Sequence, residues 1–215
     1  MRSSRSYRQA CSLALALDLV GERWTLLIIR QLWTGPKRFK NLLADLPGMG
    51  TNLLAARLKK LEREGIIQRR SLPPPAGVRT YELTERGLGL EAVILALGKW
   101  GLPLLGGRSQ QYAYRPSYVA AGMRVTFRPE ATRGVRETYE YAIGDEVFHV
   151  RVHGGGCDIR QGPAEHPAFR LKADAKTLLA LAKGELRFDR ALSAGQVEFK
   201  GDRKALGRSH AIFQL

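Results

Sequence analysis

The chain has 215 residues, of which 35 are Lys or Arg and 20 Asp or Glu, so its formal net charge is +15. Apolar residues make up 44% and charged residues 26%, ordinary globular usage that excludes a disordered tail. That length suits one large domain or two small ones, each able to bury a core. No apolar run is expected to approach the roughly 18 residues that a bilayer span needs. The basic start, Met1 to Arg8, is not followed by the apolar stretch and cleavage site of a signal peptide. An intracellular protein without membrane insertion is therefore expected, cytoplasmic and nucleoid-associated. Cys11 and Cys157 are too few and too far apart for a disulfide framework or a zinc site. The basic excess calls for a polyanionic partner.

In chain order, 11–20 and 22–32 carry apolar residues at helical spacing, separated by Gly21. Gly35-Pro36 breaks the chain, and 38–46 reads as a short helix with Phe39, Leu42, Leu43 and Leu46 inward. Pro47-Gly48 ends it. A longer helix over 51–64 stops at Gly65. Residues 66–72 and 78–83, joined by a triple-proline tip at 73–75, form a hairpin. Thr84 is placed to cap a helix running to about Leu105. Gly106 to Gln111 is polar and glycine-led, and the pattern beyond 118 turns to alternating strands. Residues 1–105 hold 17 basic and 8 acidic side chains, a net +9, against 18 and 12 beyond.

Helix, short turn, helix and basic hairpin make a winged helix-turn-helix layout. At about 100° per residue, Leu54, Leu58 and Leu61 form a buried stripe on the second helix. Asn52, Ala55, Ala56, Lys59 and Arg63 belong to its outer side, and Thr51 at the start of the helix is a further candidate DNA contact. Small residues there let the helix sit deep in a major groove of double-stranded DNA. Asn52 can pair bidentately with adenine, and Ala55 or Ala56 can meet a thymine methyl. Lys59 and Arg63 are candidates for phosphates. Arg69, Arg70 and Arg79 on the hairpin can follow the backbone or enter a minor groove, and Lys37, Arg38 and Lys40 are placed to grip a phosphate. A single such charge is ordinarily just solvated. The combination carries the reading.

Several segments together resemble the HxlR-type winged-helix regulators, relatives of the MarR group. They are Cys11 and Asp18 to Ile28, Arg38-Phe39, Arg57 to Gly65, Tyr81 to Thr84, and Gly98 to Gly101. The resemblance covers roughly 10–102 and implies a dimeric regulator, a repressor, on a palindromic operator. Gly50 stands where such proteins place a capping Ser, so Thr51 is expected to cap instead. Excess apolar residues in 11–20 and in 84–105 independently suggest a homodimer contact. Cys11, at a helix N-terminus that favours a thiolate, is a candidate redox sensor because some HxlR-type proteins use a cysteine there. Ser12 replaces the family's common Pro.

In the C-terminal part, Tyr139, Tyr141 and Ile143 alternate with Thr138 and Glu140, and Phe148, Val150 and Val152 with His149, Arg151 and His153. The second set of each strand is expected to be solvated or to face the first domain. Further strands are expected near 157–161, 168–172 and 196–200, covered by helices near 175–183, 188–193 and 202–213. The stretch from Ala173 resembles the end of a sterol carrier protein type-two domain, which implies a lipophilic tunnel and no catalytic group. Phe127, Tyr139, Tyr141, Phe148, Leu178, Leu181 and Leu186 are the candidate lining for a lipophilic effector, with a filled core as the competing use of such residues.

The expected fold class is α+β: an N-terminal winged helix-turn-helix domain (1–105), a linker (106–117) and a C-terminal α/β domain (118–215) whose mainly antiparallel sheet is covered by helices. No nucleophile elbow, metalloprotease motif or paired-carboxylate setting appears, so neither an enzyme nor a bound cofactor or metal is expected. The leading function is a sequence-specific DNA-binding transcriptional regulator. The alternative is a lipid-binding or transfer protein docking on anionic membranes through its basic surface.

Overall fold

The computed structural model describes residues 6–71, 78–105 and 114–213. The chain divides into two compact units, Met1–Ile94 and Leu95–Leu215. The hairpin tip at 72–77 and the expected linker residues 106–113 lie outside the described residues.

In the first unit, α1 spans Ser12–Val20 with Cys11 as its N-cap. α2 is Thr25–Gln31 and tightens into a 3-10 turn at Leu32–Thr34. It starts three residues later than the apolar spacing predicts. Trp24, with φ 79°, takes a left-handed conformation that a helix cannot contain. α3 spans Phe39–Asp45 and α4 spans Thr51–Arg63, and Gly65, at φ 67°, lets the chain turn away from α4. Strands β1 (Ile67–Ser71) and β2 (Arg79–Leu83) pair antiparallel, with Ile67 opposite Leu83 and Ser71 opposite Arg79. The backbone of Lys37 adds a bridge to Tyr81. Ile28, Ile29, Leu42, Leu46, Leu54, Leu58, Leu61 and Ile67 fill the core of this unit.

Thr84 caps α5 (Glu85–Leu88) by accepting from the Gly87 amide at 3.1 Å, as expected. A Cβ on Gly87 would lie 2.1 Å from the Ile66 carbonyl oxygen, so only glycine permits this approach of helix to hairpin. The single helix expected over 84–105 is in three pieces: α5, then α6 (Glu91–Gly101), then a 3-10 turn at Leu102–Leu105. Gly89-Leu90 breaks it, glycine being a poor helix former. Taken together, Glu85–Leu105 is 21 residues long and, by length and composition, apolar enough to cross a membrane. This overturns the expectation that no such stretch exists. Summed hydropathy is high because both faces of these pieces are apolar, although Glu91 and Lys99 interrupt them.

The second unit carries a five-stranded sheet of order β5-β4-β3-β6-β7: β3 Glu137–Ile143, β4 Glu146–His153, β5 Gly156–Gln161, β6 Phe169–Ala173 and β7 Val197–Gly201. Only β3 and β6 pair in parallel; the other neighbours are antiparallel. Helices α7 (Pro116–Thr126), α8 (Ala175–Ala182), α9 (Phe188–Ser193) and α10 (Arg203–Ile212) complete it. α7 opens at Pro116, inside the expected linker, with proline where its missing N–H costs nothing. Asp174 and Asp202 cap α8 and α10 through the amides of Thr177 and Lys204. Ala120, Ala175, Leu178, Ala191, Ala205 and Ile212 from the helices pack with the inward residues of the sheet into one core. Glu140, expected at a solvated or domain-facing surface, is buried. It accepts the Ala164 amide at 2.8 Å and pairs with Arg170 at 3.0 Å, which is how a carboxylate tolerates burial.

Candidate nucleic-acid interface

α4 presents two chemically distinct sides. Leu54, Leu58 and Leu61 are buried, whereas Thr51, Asn52, Ala55, Ala56, Lys59 and Arg63 are exposed. The leucines hold the helix against the unit's core, leaving a narrow outer surface floored by two alanines and edged by cations. Gly50, not Thr51, is the N-cap. Thr51 is the first helical residue, so the expected Thr51 cap is absent and its hydroxyl is left to the exposed side.

The remaining basic residues divide by what they touch. Lys37 corrects the sequence expectation. It is 4% exposed, and its Nζ sits 2.7 Å from Asp45 Oδ2, so its charge is spent inside the fold and cannot grip a phosphate. Its backbone bridge to Tyr81 fixes it under the hairpin. Arg38 is the half-buried N-cap position of α3, and Lys40 is exposed. On the hairpin, Arg69 reaches back to Glu62 of α4 at 3.0 Å and lies over the Tyr81 ring. Arg70 pairs with Glu82 at 3.5 Å, and Arg79 is exposed.

One element of the interface was not legible from residue types. Glu22, in the turn between α1 and α2, pairs with both Arg57 and Lys60 on the flank of α4, and Lys60 also donates to the Asp18 carbonyl at 2.8 Å. Glu22 lies 35 positions before Arg57 and 38 before Lys60, and only tertiary packing brings the acid to the bases.

Cys11 is exposed, and the amides of Ala14 and Leu13 at the start of α1 hold its thiol below the usual value. Exposed apolar side chains concentrate on α1 (Leu13, Leu15, Leu17) and on the 88–105 stretch (Leu88, Val93, Leu97, Trp100, Leu104, Leu105).

The candidate effector lining is corrected in part. Tyr139, Tyr141 and Phe148 are core residues, with Tyr139 stacked on Phe169 at 4.9 Å and Tyr141 edge-on to the same ring at 5.5 Å. The Tyr141 hydroxyl shares a hydrogen bond with Ser209 at 2.6 Å and Tyr139 donates to Glu137, while burial pushes both phenols up. Inward-facing aromatic side chains satisfy the sheet's own packing first. Leu178 is buried with them, and Phe127, Leu181 and Leu186 lie half-buried at the margin of the core. A concavity of this unit lies elsewhere, lined by residues of 129–137 with Gly154 and Gly155. Among the described residues no group of three His, Cys, Asp or Glu side chains is arranged to hold a metal.

The arrangement of α3, α4 and a two-stranded wing defines a winged helix-turn-helix protein. Residues 19–107 match the HxlR-like helix-turn-helix family, and residues 126–214 match the SCP-2 sterol transfer family. The HTH-type transcriptional regulator YodB of Bacillus subtilis is 42% identical over 85 residues, which are 40% of this chain and 76% of YodB. The HTH-type regulator sll1512 of Synechocystis is 37% identical over 91 residues, 42% of this chain and 67% of that protein. The solved structure of reduced YodB aligns with a TM-score of 0.40 at 39% identity, covering 43% of this chain and 92% of that one. The chain belongs to the HxlR-like helix-turn-helix family, and it carries the second, SCP-2-like region beyond the stretch it shares with these relatives.

Proposed function

We propose that the protein is a dimeric, sequence-specific DNA-binding repressor that sets α4 into the major groove and lays its wing, 66–83, on the backbone or in the minor groove. The observation that supports it most is the split of α4. Three leucines are buried, while Asn52, Ala55, Ala56, Lys59 and Arg63 are exposed beside a basic hairpin. Asn52 and the alanines read base edges; Lys40, Lys59, Arg63 and Arg79 take phosphates. Arg69 and Arg70 reach the backbone only by exchanging Glu62 and Glu82 for phosphate. Residues 1–105 bind DNA and dimerise, and the region from α7 onward forms the effector domain. The test is a duplex selected from a random-sequence library. Asn52→Ala is expected to cost about 1–3 kcal/mol at one base position, whereas Arg79→Ala weakens all sequences alike. Equal losses on selected and random DNA for Asn52→Ala would contradict the assignment.

The C-terminal region is read as a lipophilic-effector domain on the strength of its match to the SCP-2 sterol transfer family, with Phe127, Leu181 and Leu186 at the edge of the core as its accessible apolar side chains. A bound effector shifts operator affinity only through unequal affinity for two conformations. Long-chain fatty acids titrated into the protein–operator complex test this: unchanged affinity and melting temperature remove the effector. The solved relatives include YodB in its reduced form and HypR described as a redox regulator. For this chain, Cys11 is read as the redox sensor, as an exposed thiol at the start of α1. Its alkylation is expected to persist to lower pH than that of an unstructured cysteine peptide, because the lowered pKa keeps thiolate present there. Matching pH profiles would withdraw that role.

A further inference from the structure

Glu22 stands outside every contact assigned to DNA, yet it bears directly on the recognition helix. Its Oε1 lies 2.8 Å from Lys60 Nζ, and its Oε2 pairs with an Arg57 guanidinium nitrogen. Lys60 simultaneously donates to the Asp18 carbonyl at 2.8 Å, one of the carbonyls left open at the C-terminal end of α1. The two bases are three residues apart, so they share one flank of α4, between the buried stripe of Leu54, Leu58 and Leu61 and the exposed side of Asn52, Ala55 and Lys59. Both are largely covered, with side-chain exposures of 19% for Arg57 and 15% for Lys60. Their charges are therefore directed inward, unlike that of Lys59 beside them.

The turn that carries Glu22 approaches the helix-turn-helix a second time. Trp24 sits at φ 79°, outside the range a bulky residue normally adopts. Its ring lies where a Cβ on Gly48, in the turn between α3 and α4, would meet it at 3.7 Å. Arg23 covers the same ring at 5.3 Å. The α1–α2 turn thus touches the helix-turn-helix at two points, Trp24 beside the turn before α4 and Glu22 on the flank of α4 itself. Rolling α4 about its axis would move Asn52 and Ala55 relative to a base edge, and the leucine stripe alone resists that only through non-directional packing. An ion pair to two bases one turn apart resists it with direction.

We propose that Glu22 is a specificity-determining positioning residue: by holding Arg57 and Lys60 it sets the roll of the recognition helix and withholds two cations from indiscriminate phosphate contact. This rests on the reading of α4 as the DNA-recognition helix. Releasing the pair subtracts from operator recognition, which depends on orientation, and adds to backbone attraction, which does not.

The experiment compares full-length wild type, Glu22→Gln and the double variant Arg57→Gln/Lys60→Gln on a duplex selected by the wild-type protein and on random duplex, each over a series of salt concentrations. For Glu22→Gln, selected-duplex affinity is expected to fall about 10-fold while random-duplex affinity holds or rises. Its log K against log[salt] slope is expected to steepen by up to about 1.8, two phosphates at about 0.9 each. The double variant is expected to lose selectivity with an unchanged slope, since its cations never met phosphates. A selectivity ratio in Glu22→Gln equal to wild type overturns the proposal. So does a parallel fall on both duplexes with a lowered melting temperature, which marks a purely structural pair, and so does a shallower slope in the double variant, which makes Arg57 and Lys60 phosphate contacts. A wild-type protein that selects no duplex removes the regulator reading itself. A wild-type preference that Glu22→Gln retains in full removes only this inference.

Discussion

Lys37 and Lys40 show how identical side chains three positions apart take opposite roles. Lys40 is exposed on α3, while Lys37 is buried against Asp45 because its backbone bridges to Tyr81 and turns the side chain under the hairpin. Nothing in the run from Lys37 to Lys40 announces this, since Asp45 is eight residues away and its approach depends on how α3 packs. Lys37→Met is therefore expected to lower stability by about 3–5 kcal/mol, because it takes the cation away from a buried carboxylate. It is expected to leave the salt dependence of DNA binding unchanged. Denaturant melts and salt titrations check the two halves; a slope smaller by about 0.9 with wild-type stability would restore Lys37 as a phosphate contact. The acid partners of Arg57, Lys60 and Arg69 were hidden for the same reason. A single sequence shows charges and their spacing, not which acid folds next to which base.

At the scale of elements, periodicity was a sound guide wherever one face is buried and the other wet. The stripe of Leu54, Leu58 and Leu61, the alternation of Tyr139, Tyr141 and Ile143, and the helices at 175–182, 188–193 and 203–212 all stand where the pattern puts them. It was a poor guide to interruptions. Trp24 delays α2 through a backbone conformation that no tryptophan advertises, and Gly89-Leu90 divides a stretch whose apolar spacing runs on unbroken. The effector lining meets the same limit at this scale. Inward aromatic residues on adjacent strands read alike whether they border a tunnel or fill a core, and Tyr139, Tyr141 and Phe148 fill it.

For the whole molecule, the exposed apolar residues of α1 and of 88–105 carry the expectation of a partner subunit. Trp100 is 74% exposed and Leu13 65%, an uncommon cost for a chain that remains a monomer in water. Trp100→Glu is expected to leave secondary structure intact, since the ring packs little within its own chain, and to convert a dimer into a monomer with reduced operator affinity. Sedimentation velocity reads the first outcome and gel shifts the second. A wild-type chain that sediments as a monomer would set the apolar stretch aside as a dimer contact. The same apolar residues give Glu85–Leu105 the hydropathy of a membrane span, since composition alone does not separate a face suited to another subunit from one suited to lipid.

The amino-acid sequence by itself determined the winged helix-turn-helix, the strand-rich C-terminal region, the buried stripe of α4 and the polar side opposite it. Each of these follows from local periodicity, turn chemistry and the position of glycine and proline. Only the tertiary structure decided that Lys37 is an internal ion pair, that Tyr139 and Tyr141 are core, and that Glu22 pairs with two bases on the flank of α4. Those are outcomes of long-range packing, where burial turns a charge into a demand for one particular partner, and the partner's place in the chain carries no local mark.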